Sequence, residues 1–112
     1  MHISEDKNGD VLIVGLKGRL DAATSKTVEE FLLKKIDAGE KLLVLDLAQL
    51  DYISSVGLRV FMMSAKRLKV VQGRIVVCSL SVTIQQVFEI SGFTTLFPAF
   101  DSRDSAAAGV RG

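Results

Sequence analysis

The chain has 112 residues, 48% of them hydrophobic and 24% charged, with a net charge of +1. That length makes one domain with room for a real core, and so even a balance of charge excludes the basic stripe that tight nucleic-acid binding needs. One cysteine, Cys78, and one histidine, His2, exclude an internal disulfide and leave almost no material for a zinc site or a Ser-His-Asp device, so neither a metal nor a cofactor is expected.

The polar start Ser4-Glu5-Asp6-Lys7 does not read as a signal peptide. The apolar runs have strand length, well short of the roughly 20 residues that span a bilayer. The cytoplasm is the expected location, with no membrane contact. Asn8-Gly9 accepts the positive φ of a type I′ turn and predicts a hairpin joining Ile3–Lys7 to Val11–Lys17. Val11-Leu12-Ile13-Val14 is apolar on both faces, as a central strand covered from two sides would be. From Thr24 to Ala38 the period becomes helical, with Val28, Phe31, Leu32 and Ile36 on one stripe, Thr24 or Ser25 as cap and Gly39 as terminator. Leu42–Leu47 reads as a buried parallel strand. A second helix follows Ser54, with Leu58, Phe61, Met62, Ala65 and Leu68 inward. Gly73 ends it, Arg74–Cys78 is a strand, and Ser81 caps a short helix that stops near Gly92. Thr95–Phe97 is the expected last strand, at the sheet edge, and the small, polar residues beyond Pro98 read as a frayed tail.

This alternation predicts a single α/β domain over residues 1–100. It has a mostly parallel central sheet of four to five strands, an N-terminal hairpin, three to four helices and right-handed crossovers. Residues 101–112 are expected to form a flexible tail. Val11–Leu16, Leu42–Leu47 and Ile75–Cys78 are too apolar to face water and should lie side by side.

In such sheets, ligands and partners meet the carboxyl ends of the strands. Two polar clusters fall there: Gly18–Thr24, and Asp51–Gly57 ahead of the second helix. Ser54-Ser55 has a plain reading as a helix cap and a functional one as an exposed hydroxyl at a helix end that tolerates an anion. Spacing alone does not decide between them. Asp21 reads equally as a loop carboxylate or as part of a contact surface. Tyr52 presents one apolar face and one hydroxyl in the same region. Arg59, Lys66 and Arg67 read as a solvated helix face before a docking patch, and Met63 as a residue of surface or interface where Met62 fills core.

The string Ile53-Ser54-Ser55-Val56-Gly57-Leu58-Arg59, after Leu43-Val44-Leu45-Asp46-Leu47, closely resembles the signature of STAS-domain anti-sigma factor antagonists. Gly18-Arg19-Leu20-Asp21 is similar to the family's Gly-x-Leu/Ile-Asp element. Gly73–Cys78 and Ile90-Ser91-Gly92-Phe93 resemble its last strand and closing corner. The resemblance runs from about Val11 to Phe97. It implies a phosphoacceptor at Ser55, with Ser54, which stands where the best-known motif has aspartate, as second choice. It also implies a partner-binding surface around Asp21, Thr24, Tyr52, Ser54, Ser55, Val56, Gly57 and Arg59. The implied function is binding, not catalysis. The unphosphorylated chain binds an anti-sigma factor that is also a serine kinase, phosphorylation of Ser55 abolishes binding, and a PP2C-type phosphatase restores it. The alternative within the same fold is a structural subunit of a larger assembly, such as a lipid-transport complex or a stressosome. An enzyme using Ser55 as nucleophile ranks last, because Ser-Ser-Val-Gly lacks the nucleophile-elbow pattern and no histidine is near in sequence.

Overall fold

The computed structural model describes residues 1–112. In chain order its elements are β1 (His2–Asn8), β2 (Val11–Leu20), α1 (Ser25–Asp37), β3 (Leu42–Asp46), β4 (Leu50–Ile53), α2 (Ser55–Val70), β5 (Arg74–Cys78), α3 (Val82–Ser91), a 3-10 turn at Phe93–Thr95, β6 (Ala99–Phe100) and α4 (Arg103–Arg111). The Asn8-Gly9 hairpin forms as expected, with Gly9 at φ 62°. It brings β1 antiparallel to β2, from Asn8 opposite Val11 to His2 opposite Lys17.

Six strands make one sheet in the order β1-β2-β3-β5-β6, with β4 attached to β2. The three most apolar strands are therefore neighbours, and all pairings except the hairpin are parallel. One face of the sheet meets α1, α2 and α3 over a core built from Leu12, Val14, Leu43, Leu45, Phe61, Leu68, Phe88 and Phe97. The rings of Phe61, Phe88, Phe93 and Phe97 form one cluster of five contacts with centroids 5.4–6.5 Å apart, mostly tilted or edge-on, as aromatic quadrupoles prefer.

The segment expected to fray is instead α4, which covers the opposite face. It buries Ala106, Ala107 and Val110 against Val11, Ile13, Val44, Val76 and Cys78. Small residues make this close approach possible. A Cβ on Gly109 would sit 2.2 Å from Cζ of Phe100. Ser102 and Ser105 form a reciprocal capping box at its start. Arg103 Nε donates to Asp46 Oδ2 at 2.6 Å, and Arg111 Nη2 donates to the Asn8 carbonyl at 2.7 Å. Nine residues make a marginal helix alone, so it is this packing that holds it. The last strand also lies later than expected. Pro98 has no N–H to give a ladder, and its carbonyl accepts from Val77 N at 3.0 Å. The strand therefore begins at Ala99, and the expected strand Thr95–Phe97 is the end of a 3-10 turn and the chain leaving it.

Candidate functional site

Besides its hairpin partner β1, β2 is long enough to serve two parallel partners. Its first half, Val11–Gly15, pairs with β3; its last residues, Gly18–Leu20, pair with β4 through an irregularity at Gly18/Arg19. The stretch Asp51–Ile53, the first part of the polar cluster ahead of the second helix, is thus strand. Leu50 and Ile53 are buried while Asp51 and Tyr52 face out. This short pairing fixes the two polar clusters beside each other. Tyr52 lies opposite Arg19 in the ladder, and Ser54 N donates to the Leu20 carbonyl at 2.9 Å.

The Asp21 loop is closed by its own hydrogen bonds. Asp21 Oδ1 accepts from Ala23 N at 3.0 Å. Thr24 Oγ1 donates to the Arg19 carbonyl at 2.7 Å and accepts from Asp21 N at 3.1 Å. Thr24 therefore fastens the loop, and its side chain makes no capping bond to α1. Ser25, also offered as a cap, is buried with its hydroxyl on the Asp21 carbonyl. Arg19 joins the site only through the fold. Its guanidinium lies 4.3 Å from the centre of the Tyr52 ring, with Nε 3.8 Å from Asp21 Oδ2, so it links the two clusters by a cation–π contact and a loose ion pair. The only signal for it was its place in the Gly18–Asp21 string.

At the start of α2 the two serines part. Ser54 is the cap: its backbone is extended, at φ −92° and ψ 171°, and its Oγ accepts from Gly57 N at 3.2 Å. Ser55 is the first helical residue and is exposed. The first-turn N–H groups of a helix carry partial positive charge there. Gly57 lies beneath this surface, not on it. A Cβ there would come within 2.7 Å of Leu20 Cγ and 3.0 Å of Ile53 Cγ1, so the glycine lets α2 close onto the ends of β2 and β4. Val56 and Tyr52 are 37% and 40% exposed. Arg59, one turn beyond Ser55, is exposed and shares with it a shallow depression completed by Leu58, Met62 and Phe93. His2 lies elsewhere, on β1 opposite Lys17. The ends of β2 and β4 carry a carboxylate, a phenol ring and a guanidinium group in contact, and the start of α2 beside them carries an exposed hydroxyl and a second guanidinium group, fit for contact with another molecule.

The family model described as STAS domain matches residues 2–106. A Bordetella bronchiseptica protein, provisionally named anti-sigma factor antagonist BtrV, is 45% identical over 99% of this chain and 96% of its own. An anti-sigma factor antagonist from Mycobacterium paratuberculosis, known as a crystal structure, superposes with a TM-score of 0.90 at 22% identity, over 99% of this chain and 94% of its own. Unphosphorylated SpoIIAA gives 0.76 at 19% identity over 99% of each chain. Phosphorylated SpoIIAA from Bacillus gives 0.76 at 20%, over 98% of this chain and all of its own. No helix is long and apolar enough to cross a membrane.

Proposed function

The chain belongs to the STAS-domain family, and from that premise we propose that it is an anti-sigma factor antagonist whose binding is switched off by phosphorylation of Ser55. The observation that carries the reading is the division of labour between the two serines. Because Ser54 caps α2, the hydroxyl of Ser55 is free at a helix end that accommodates an anion. It stands beside the loop that holds Asp21. The name of the 45% identical relative and the existence of SpoIIAA in a phosphorylated form support the same role.

The partner is an anti-sigma factor that is also a serine kinase. The unmodified chain binds it through Asp21, Tyr52, Ser55, Val56 and Arg59, with Ser54, Thr24 and Gly57 shaping the surface, and so frees its client. ATP belongs to the partner, which transfers a phosphate to Ser55; a PP2C-type phosphatase removes it. The modification adds about −1.5 to −2 charges. In the free protein, the helix start and Arg59 one turn on can compensate them. Within a fitted interface beside Asp21 they meet like charge and lose water. Affinity falls with no change of fold.

Co-purification from the native cell, followed by incubation with the captured kinase and ATP, tests the reading. One phosphate, mapped to Ser55 by peptide mass spectrometry, is expected. A phosphate found chiefly on Ser54, Thr24 or Ser25 contradicts it. Ser55→Asp should weaken binding to that kinase, while Ser55→Ala should keep it and escape regulation.

A further inference from the structure

The open half of the sheet edge forms a groove between α2 and α4. β6 pairs with β5 only at Val77 and Cys78, so the beginning of β5 has no neighbour on that side. The space left is about 490 Å³, within the roughly 300–1,000 Å³ of small-molecule sites. Its floor is apolar, made by Met62, Ile75, Phe97 and Val110, while Lys66, Lys69 and Arg74 stand around it with no carboxylate among the lining residues.

Those three cations are also without counterions. Lys66, Lys69 and Arg74, like Lys17, Lys26, Lys34, Lys41 and Arg59 elsewhere on the molecule, form no ion pair; what sets the three apart is that they line one groove together. Arg74 makes only a long bond, 3.5 Å, from Nη1 to the Val110 carbonyl. Lysine stems lie along apolar surface and leave the ammonium free to reach a ligand, and a guanidinium matches a carboxylate fork.

The two halves of the site demand different things of one occupant. An inorganic anion leaves the floor uncovered, and a neutral hydrocarbon leaves the cations unpaired. We propose that the groove binds a single-chain alkyl carboxylate, with its head among Lys66, Lys69 and Arg74 and its chain along the floor. Ser55 and Asp21 do not line this groove, although Met62 borders both it and the depression at Ser55, and the proposal does not rest on the antagonist reading.

Calorimetric titration with octanoate, decanoate and dodecanoate below their micelle concentrations tests it, with decanol as the uncharged control. Saturable one-site binding is expected, tightening roughly three- to fourfold per added methylene, with decanoate bound more tightly than decanol. Added salt should weaken decanoate and spare decanol. The double variant Lys66→Gln/Lys69→Gln, which removes no hydrogen bond of the fold, should lower decanoate affinity about fivefold and leave decanol within twofold. Amide NMR shifts should cluster at Ile75, Leu96 and Gly109. Absence of saturable decanoate binding, equal affinity for decanol, or shifts centred on the exposed Val82 and Ile90 of α3 would each overturn the proposal.

Discussion

Ser54 Oγ lies 3.2 Å from the Gly57 amide, so Ser54→Ala deprives a helix donor of its acceptor and should cost about 1 kcal/mol in urea unfolding. Ser55→Ala removes an exposed hydroxyl that makes no such bond and should fall within about 0.5 kcal/mol of wild type. Equal costs at the two positions would contradict the assignment of the cap. Both serines are sound caps by residue type, and the sequence left them equivalent; the extended backbone of Ser54 separates them. Gly57 is a second case. Its neighbours Leu20 and Ile53 are buried, so Gly57→Val overpacks the junction and should destabilise by about 1–3 kcal/mol, measured by the same unfolding curves. The resemblance marked Gly57 as part of the contact string, but the need for space there belongs to tertiary packing, which a string cannot display. The role of Arg19 is hidden in the sequence for a similar reason: its partner Tyr52 is brought opposite only by the β2–β4 ladder.

At the scale of elements, α4 is the largest difference between expectation and structure. Ala106, Ala107 and Val110 form its inner face, and residues so small give little hydrophobic signal even though they are fully buried. β4 escaped because four residues with only Leu50 and Ile53 inward carry no readable period. The strands β2, β3 and β5, each built on an apolar run of four residues, are legible in type and in adjacency. The helix α4 can be tested through the thiol beneath it. Burial pushes the Cys78 thiol above its ordinary value of 9.0, so it should resist Ellman's reagent at pH 8. Gly109→Val drives a side chain into Phe100, and by loosening α4 should raise that reaction rate at least tenfold. An unchanged rate would mean that α4 does not guard Cys78. The sign for stability follows from the same shift. The unfolded thiol loses its proton first as pH rises, so Cys78 leaves folding stability unchanged well below about pH 9 and lowers it above. Cys78→Ala should flatten that decline in thermal melts taken from pH 8 to 11, although it also leaves a small cavity.

For the molecule as a whole, a sheet covered on both faces leaves β1 and the groove beside β6 as its open margins, and the candidate contact surface at one end of its strands. This end is where a parallel sheet places its loops and helix starts, which is why both polar clusters could be read from the sequence before their contact was known. Burial on two faces also explains why a charge added at Ser55 should alter binding without altering the fold. The most direct test uses protein carrying phosphoserine at position 55 by direct incorporation, which needs no kinase to prepare it. Its affinity for the co-purified anti-sigma factor is compared with that of the unmodified chain by calorimetry, with circular dichroism of both. The spectra should superimpose, and the phosphorylated form should bind roughly a hundredfold more weakly. Equal affinity of the two forms would contradict the switch at Ser55.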